Sequence, residues 1–194
     1  MSRRKVLIAL VCGLVVAVVA AIAVHRAHGS PRAPLSRLSI QGRHVTPTRR
    51  AAATFHVDAM RLVAVRDGRA FYELDTANGR CFGVGSANAI GDPGGEACPA
   101  GAAQFPSPDR PIFDFSVYEA RPGASHDQLT VYRLEGFAAD GVSAVGVLNR
   151  AGKVSLRVPV ADNVYVLDPI PPGLTGSVVP LDARGAPLNA PRRR

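Results

Sequence analysis

"MRLVAVRDGRAFYELDTANGRCFGVGS", residues 60–86, sets the class of fold. Two apolar-rich runs flank Asp67-Gly68, a dipeptide suited to the positive φ values of tight hairpin turns. Asn78-Gly79 gives a second turn, leading from "FYELDT" into "CFGVGS". The pattern predicts a three-stranded antiparallel meander.

The same strand-and-turn rhythm continues downstream. "IFDFSVYE" (112–119) puts Phe113, Phe115 and Val117 on one face and Asp114 and Ser116 on the other. "QLTVYRLEGF" follows the break at Pro122-Gly123. "VSAVGVLNRAGKVSLRVPV" (142–160) reads as a hairpin closed around Asn149 to Gly152. In its second arm Val154, Leu156, Val158 and Val160 alternate with Ser155, Arg157 and Pro159. Pro159 has no backbone N–H to give a ladder, so that arm is expected at an edge or a bulge. "NVYVLD" supplies a further strand, and no segment after residue 50 shows a helical stripe. Seven to nine short strands predict a mostly β, antiparallel sandwich or barrel-like domain.

One segment carries a resemblance. "LEGFAADGVSAVGVLNRAGKVSLRVPV" (134–160) resembles the strand-turn-strand units of bacterial immunoglobulin-like adhesion and envelope domains. The matching residues are Gly136, Ala138, Asp140, Val142 and Val145, then a polar turn and an alternating strand. The resemblance implies an immunoglobulin-like sandwich with an interaction role. The chain lacks tryptophan, and Cys81 and Cys98 lie close in sequence. Both features depart from the inter-sheet disulfide pattern of antibody domains.

Residues 6–24, "VLIALVCGLVVAVVAAIAV", carry no charge. At 1.5 Å per residue the run spans about 28 Å, the thickness of a bilayer's hydrocarbon core. Backbone groups in lipid must bond within the segment, so a transmembrane helix acting as a signal anchor is expected. A cleaved signal peptide is the alternative, with Ala21-x-Ala23 as the place of cutting. Arg3, Arg4 and Lys5 in the basic N-terminus (1–5) favour a cytoplasmic start, although Arg26, Arg32, Arg37 and Arg43 follow the run closely. The expected location is the cell membrane, single-pass, with the C-terminal domain outside.

Net charge is +8, but it is segregated. Residues 51–182, the expected β-rich domain, hold ten Lys and Arg against fifteen Asp and Glu. The excess cations sit in residues 1–50 and in the basic tail, 183–194. A fold that binds nucleic acid through its own surface shows the reverse, so no nucleic-acid partner is expected. Residues 25–50, with three prolines and no sustained periodicity, read as a basic juxtamembrane linker. Basic flanks of this kind suit anionic lipid or an envelope polyanion.

"CFGVGSANAIGDPGGEAC" (81–98) admits three chemistries. A phosphate loop needs a third glycine where Asn88 stands and a helix after it. "GDPGGEA" is similar to the nucleophile segment of chymotrypsin-like proteases, but Pro93 occupies the serine's place. A disulfide between Cys81 and Cys98 fits an exported domain, closing a glycine-rich flap and adding about 3 kcal/mol of stability. A two-cysteine metal site lacks further ligands at suitable spacing. Asp140, Asp162 and Asp168 would bind calcium only if loops brought them together. His126-Asp127 and His56-x-Asp58 read as surface pairs.

No catalytic residue, cofactor or metal ligand is assigned. The expected function is a membrane-anchored extracytoplasmic binding or scaffolding protein of the cell envelope, partnered by lipid, polyanion or another envelope protein. The alternatives are a small extracytoplasmic enzyme with a site outside known motifs and an accessory or regulatory subunit of a membrane complex.

Overall fold

A hairpin needs a turn that matches strand twist, and Asp67 and Gly68 supply one, with φ of 48° and 73°. In the computed structural model of the chain they join β2 (Val57–Arg66) to β3 (Arg69–Thr76), and Asn78-Gly79 then leads into β4 (Gly79–Ser86). The structure describes residues 35–99, 104–119 and 130–188. The expected N-terminus 1–5, the apolar run 6–24, His126-Asp127 and the last tail residues lie outside them. Among the described residues no helix is long and apolar enough to cross a membrane.

The protein is mostly β, with several antiparallel sheets. The meander is the centre of a five-stranded sheet, completed by the two-residue β1 (Arg43–His44) beside β2 and by β5 (Pro93–Ala97) beside β4. A second sheet has the order β10-β7-β6, from β6 (Ile112–Glu119), β7 (Thr130–Ala138) and β10 (Val164–Leu167). A third has the order β11-β8-β9, from β8 (Ala144–Asn149), β9 (Val154–Pro159) and β11 (Leu174–Leu181). β9 is an edge strand, a place that tolerates Pro159, and its pairing to β8 is bulged at the other end, between Val154 and Leu156.

Period-2 alternation decides which side chains meet. Phe71, Phe82 and Val84 of the first sheet cluster with Phe113, Phe137, Val164 and Val166 of the second, and with Phe105. Phe82 joins the two sheets, with ring centroids 4.9 Å from Phe137 and 5.1 Å from Phe105. Burying each ring contributes about 1.5 to 3 kcal/mol. The opposite face of the first sheet buries Met60, Leu62, Tyr72, Leu74 and Cys81 against Val45 and Val57. A third cluster joins Leu134 and Tyr165 of the second sheet to Val145, Val147 and Val158 of the third. From Leu134 to Ala138 β7 is therefore buried on both faces.

Three features differ from the sequence expectation. A helix, α1 (Arg49–Phe55), forms where none was expected after residue 50. It is too short to show a stripe. It starts at Thr48, whose Oγ1 accepts from Ala51 N at 3.2 Å, and stops at His56 in the left-handed region. Second, part of the expected linker packs on the fold: Leu35 and Leu38 lie against the cores, and Ser39 N donates to Asp140 Oδ1 at 2.7 Å. Third, the expected tail turns back rather than fraying at once. Asp182 Oδ1 accepts from the backbone of Arg184 and Ala186, and Leu188 N donates to Pro180 O.

Candidate functional site at the end of the β4–β5 hairpin

Phe82 pairs with Ala97 across the β4–β5 ladder, so the next positions out, Cys81 and Cys98, stand opposite one another. Their Cα atoms are 4.1 Å apart and their sulfurs are bonded. The disulfide expected from the sequence is therefore present. The glycine-rich flap expected around it is in part a strand: residues 93–97 form β5, laddered on β4, and Cys98 follows its end. Gly83 makes this possible, because a Cβ there would meet Cβ of Pro93 at 2.9 Å.

Residues 87–92 connect the two strands and are held by the N-terminal segment. Thr48 N donates to Gly91 O at 2.8 Å, and Gly91 N donates to the Tyr72 hydroxyl at 3.1 Å. Gly91 has φ of 91° and sits so close to Thr46 that no side chain fits. Arg50 grips both carboxylate oxygens of Asp92, at 2.7 and 3.2 Å.

Side chains two apart on a strand share a face, so Glu96 lies beside Cys98. Among the described residues, this is the single place where three His, Cys, Asp or Glu side chains converge. Donor atoms of Cys81, Glu96 and Cys98 lie within 4.8 Å of one another. Cys81 is fully buried, whereas Cys98 reaches solvent. Oxygen Oε2 of Glu96 is buried and finds no hydrogen-bond partner. Burial pushes the Glu96 carboxyl above the usual carboxylate range, opposed in part by the charge of His56. With its sulfurs bonded to each other, the cluster offers a metal only one carboxylate. It can instead exchange thiols and move a proton.

A cleft of about 470 Å³ opens at the same end of the sheet, lined by Arg80, Pro99, Gln104 and Phe105 among others. Strand alternation places it on the Phe82 side, across the sheet from the disulfide. Arg80 pairs with Glu73 and lies 5.3 Å above the Phe82 ring.

Other polar groups serve the fold. Glu135, 2% exposed, takes a two-pronged hydrogen bond from Arg69 at 2.7 and 2.9 Å. Arg133 Nε lies 3.0 Å from the same carboxylate but outside hydrogen-bond geometry, and its Nη1 reaches Asp168 at 3.3 Å. This chain ties β3 to β7, and no sequence pattern announced it, since its members are far apart in the chain. The three aspartates that would bind calcium only if loops joined them have separate partners and places. Asp140 serves Ser39 and Asn163, Asp168 serves Arg133, and Asp162 sits in an exposed turn. His56 closes α1, and Asp58 is exposed on β2.

No family model, no curated protein and no solved structure matches this chain.

Proposed function

We propose that the chain is a single-pass, membrane-anchored protein whose β-sandwich or barrel-like domain faces the cell envelope and binds or scaffolds a partner there. The observation that carries this reading is the Cys81–Cys98 disulfide downstream of an uncharged run of bilayer length. Disulfides persist in oxidising compartments, and such a run followed by a disulfide-bonded domain suits export. Charge supports it as well, because cations concentrate in the flanks and leave the folded part mildly acidic. The interaction role has support in the free edge of the first sheet. Among the described strands, β1 covers only Arg61 and Leu62, leaving Val63, Ala64 and Val65 beside a cleft of about 350 Å³. Val65 is 55% exposed. An unpaired apolar edge is suited to strand addition by another protein.

Alkaline carbonate washing of native membranes tests the anchor, with the full chain expected in the pellet. A soluble species beginning near residue 24 overturns it. Free thiols at both Cys81 and Cys98 in those membranes overturn the extracytoplasmic location.

A further inference from the structure

The disulfide is asymmetric, and its asymmetry has chemical content. An external thiolate reaches solvent-accessible Cys98 before it reaches Cys81, which is fully buried among Tyr72 and Leu74. Attack on Cys98 makes Cys81 the leaving group. A thiolate expelled into an apolar pocket is costly, so the reaction is slow unless a proton arrives with it.

Glu96 is placed to deliver that proton. Its carboxyl oxygen lies within 4.8 Å of both sulfurs, and Oε2 is buried without a hydrogen-bond partner. A disulfide that only staples two strands has no use for a half-buried carboxyl group beside it with one oxygen held away from water and without a hydrogen-bond partner. Thr76 Oγ1 lies 3.4 Å from Cys81 Sγ but donates its proton to Gly79 O, which leaves Glu96 as the proton source.

We propose that the Cys81–Cys98 disulfide oxidises polypeptide dithiols, with Cys98 as the sulfur attacked and Glu96 as the acid that protonates Cys81. This activity goes beyond the binding role and does not depend on the anchor. One partner thiolate bonds to Cys98 Sγ, the Sγ–Sγ bond breaks, and its electron pair goes to Cys81 Sγ, which takes the Glu96 proton. The partner's second thiolate then attacks the partner's own sulfur in the mixed disulfide, and Cys98 leaves and is protonated from water. Glu96 regains its proton from solvent. The partner loses two electrons and two protons and becomes a disulfide, while the Cys81–Cys98 pair becomes two thiols.

The test uses the full chain in detergent with Cys12→Ser, so that no third thiol competes. A synthetic peptide bearing two cysteines is the reductant, and glutathione is the trap for the mixed disulfide. The expected results are reduction while the circular dichroism spectrum stays native, a glutathione adduct on Cys98, and a rate about tenfold lower or more in Glu96→Gln. Reduction only after denaturant is added overturns the proposal. So does an adduct on Cys81, or an unchanged rate in a folded Glu96→Gln. Should Glu96→Gln not fold, the adduct position and the native-state rate of the parent chain decide the matter.

Discussion

The β4–β5 and β8–β9 hairpins each end in an edge strand, but opposite means hold them. β5 reads "PGGEA" and buries little besides Pro93. A covalent bond fixes its far end, and the N-terminal segment fixes its connection through Gly91 and Asp92. β9 reads "VSLRVP" and has no bond of that kind. Val158 is buried and Leu156 half-buried against the third core, and Asn149 Oδ1 accepts from the backbone of Ala151 and Lys153 in the turn. A strand with apolar side chains is kept by packing, which is spread over many contacts. A strand without them depends on a few discrete attachments.

Removing the attachment should have the largest effect. Cys81→Ser with Cys98→Ser is expected to lower stability by about 3 kcal/mol in urea denaturation. Amide exchange should accelerate first in β5 and leave β9 unchanged. Equal acceleration in both hairpins would break the contrast. Next comes the packed strand. Val158→Ala should cost about 2 kcal/mol, whereas Val154→Ala, at a 37% exposed position of the same strand, should change stability by less than about 0.5 kcal/mol. Similar losses at the two sites would mean that packing does not hold β9.

The smallest effect concerns pH. Glu96 has a folded-state pKa raised by burial, with the His56 charge opposing. Below the ordinary carboxylate range its contribution is fully present. It is lost as pH rises from that range through the raised native-state pKa, because there the native state binds the proton more tightly than the unfolded chain. Glu96→Gln lacks this loss, so it should gain on the parent chain between about pH 3.5 and about pH 7. Paired urea titrations at the two ends check it. A gap that stays constant with pH would remove the desolvated carboxyl from the account of β5.

What could be read from the chain alone follows the same division. The meander, the Asp67-Gly68 turn and the alternating face of β9 were legible, because packing and turn chemistry leave marks in local sequence. β5 was not, since Pro-Gly-Gly has no strand propensity and pairs only because Gly83 admits it across the ladder. β11 was hidden by Gly176 and Pro180, and its register to β8 shifts between Leu174 and Val178. The disulfide was legible from two cysteines in a chain read as exported. Its Glu96 neighbour was not, because the apposition depends on β5 being a strand.

The segment from Leu35 to Ile40 also has a mechanical meaning. Tension applied from the N-terminal side meets Leu35 and Leu38, packed on the cores, then Arg37, whose carbonyl accepts from Asp140 N at 2.9 Å, and Ser39 and Ile40, bonded to Asp140 and Asn163. Asn163 in turn donates to Ala138 O at 2.9 Å and to Asp140 at 3.0 Å. The pull therefore lands on the end of β7, the strand buried on both faces. The open edge at Val63–Val65 and the hairpin that carries the disulfide stay out of the line of force until that knot gives way.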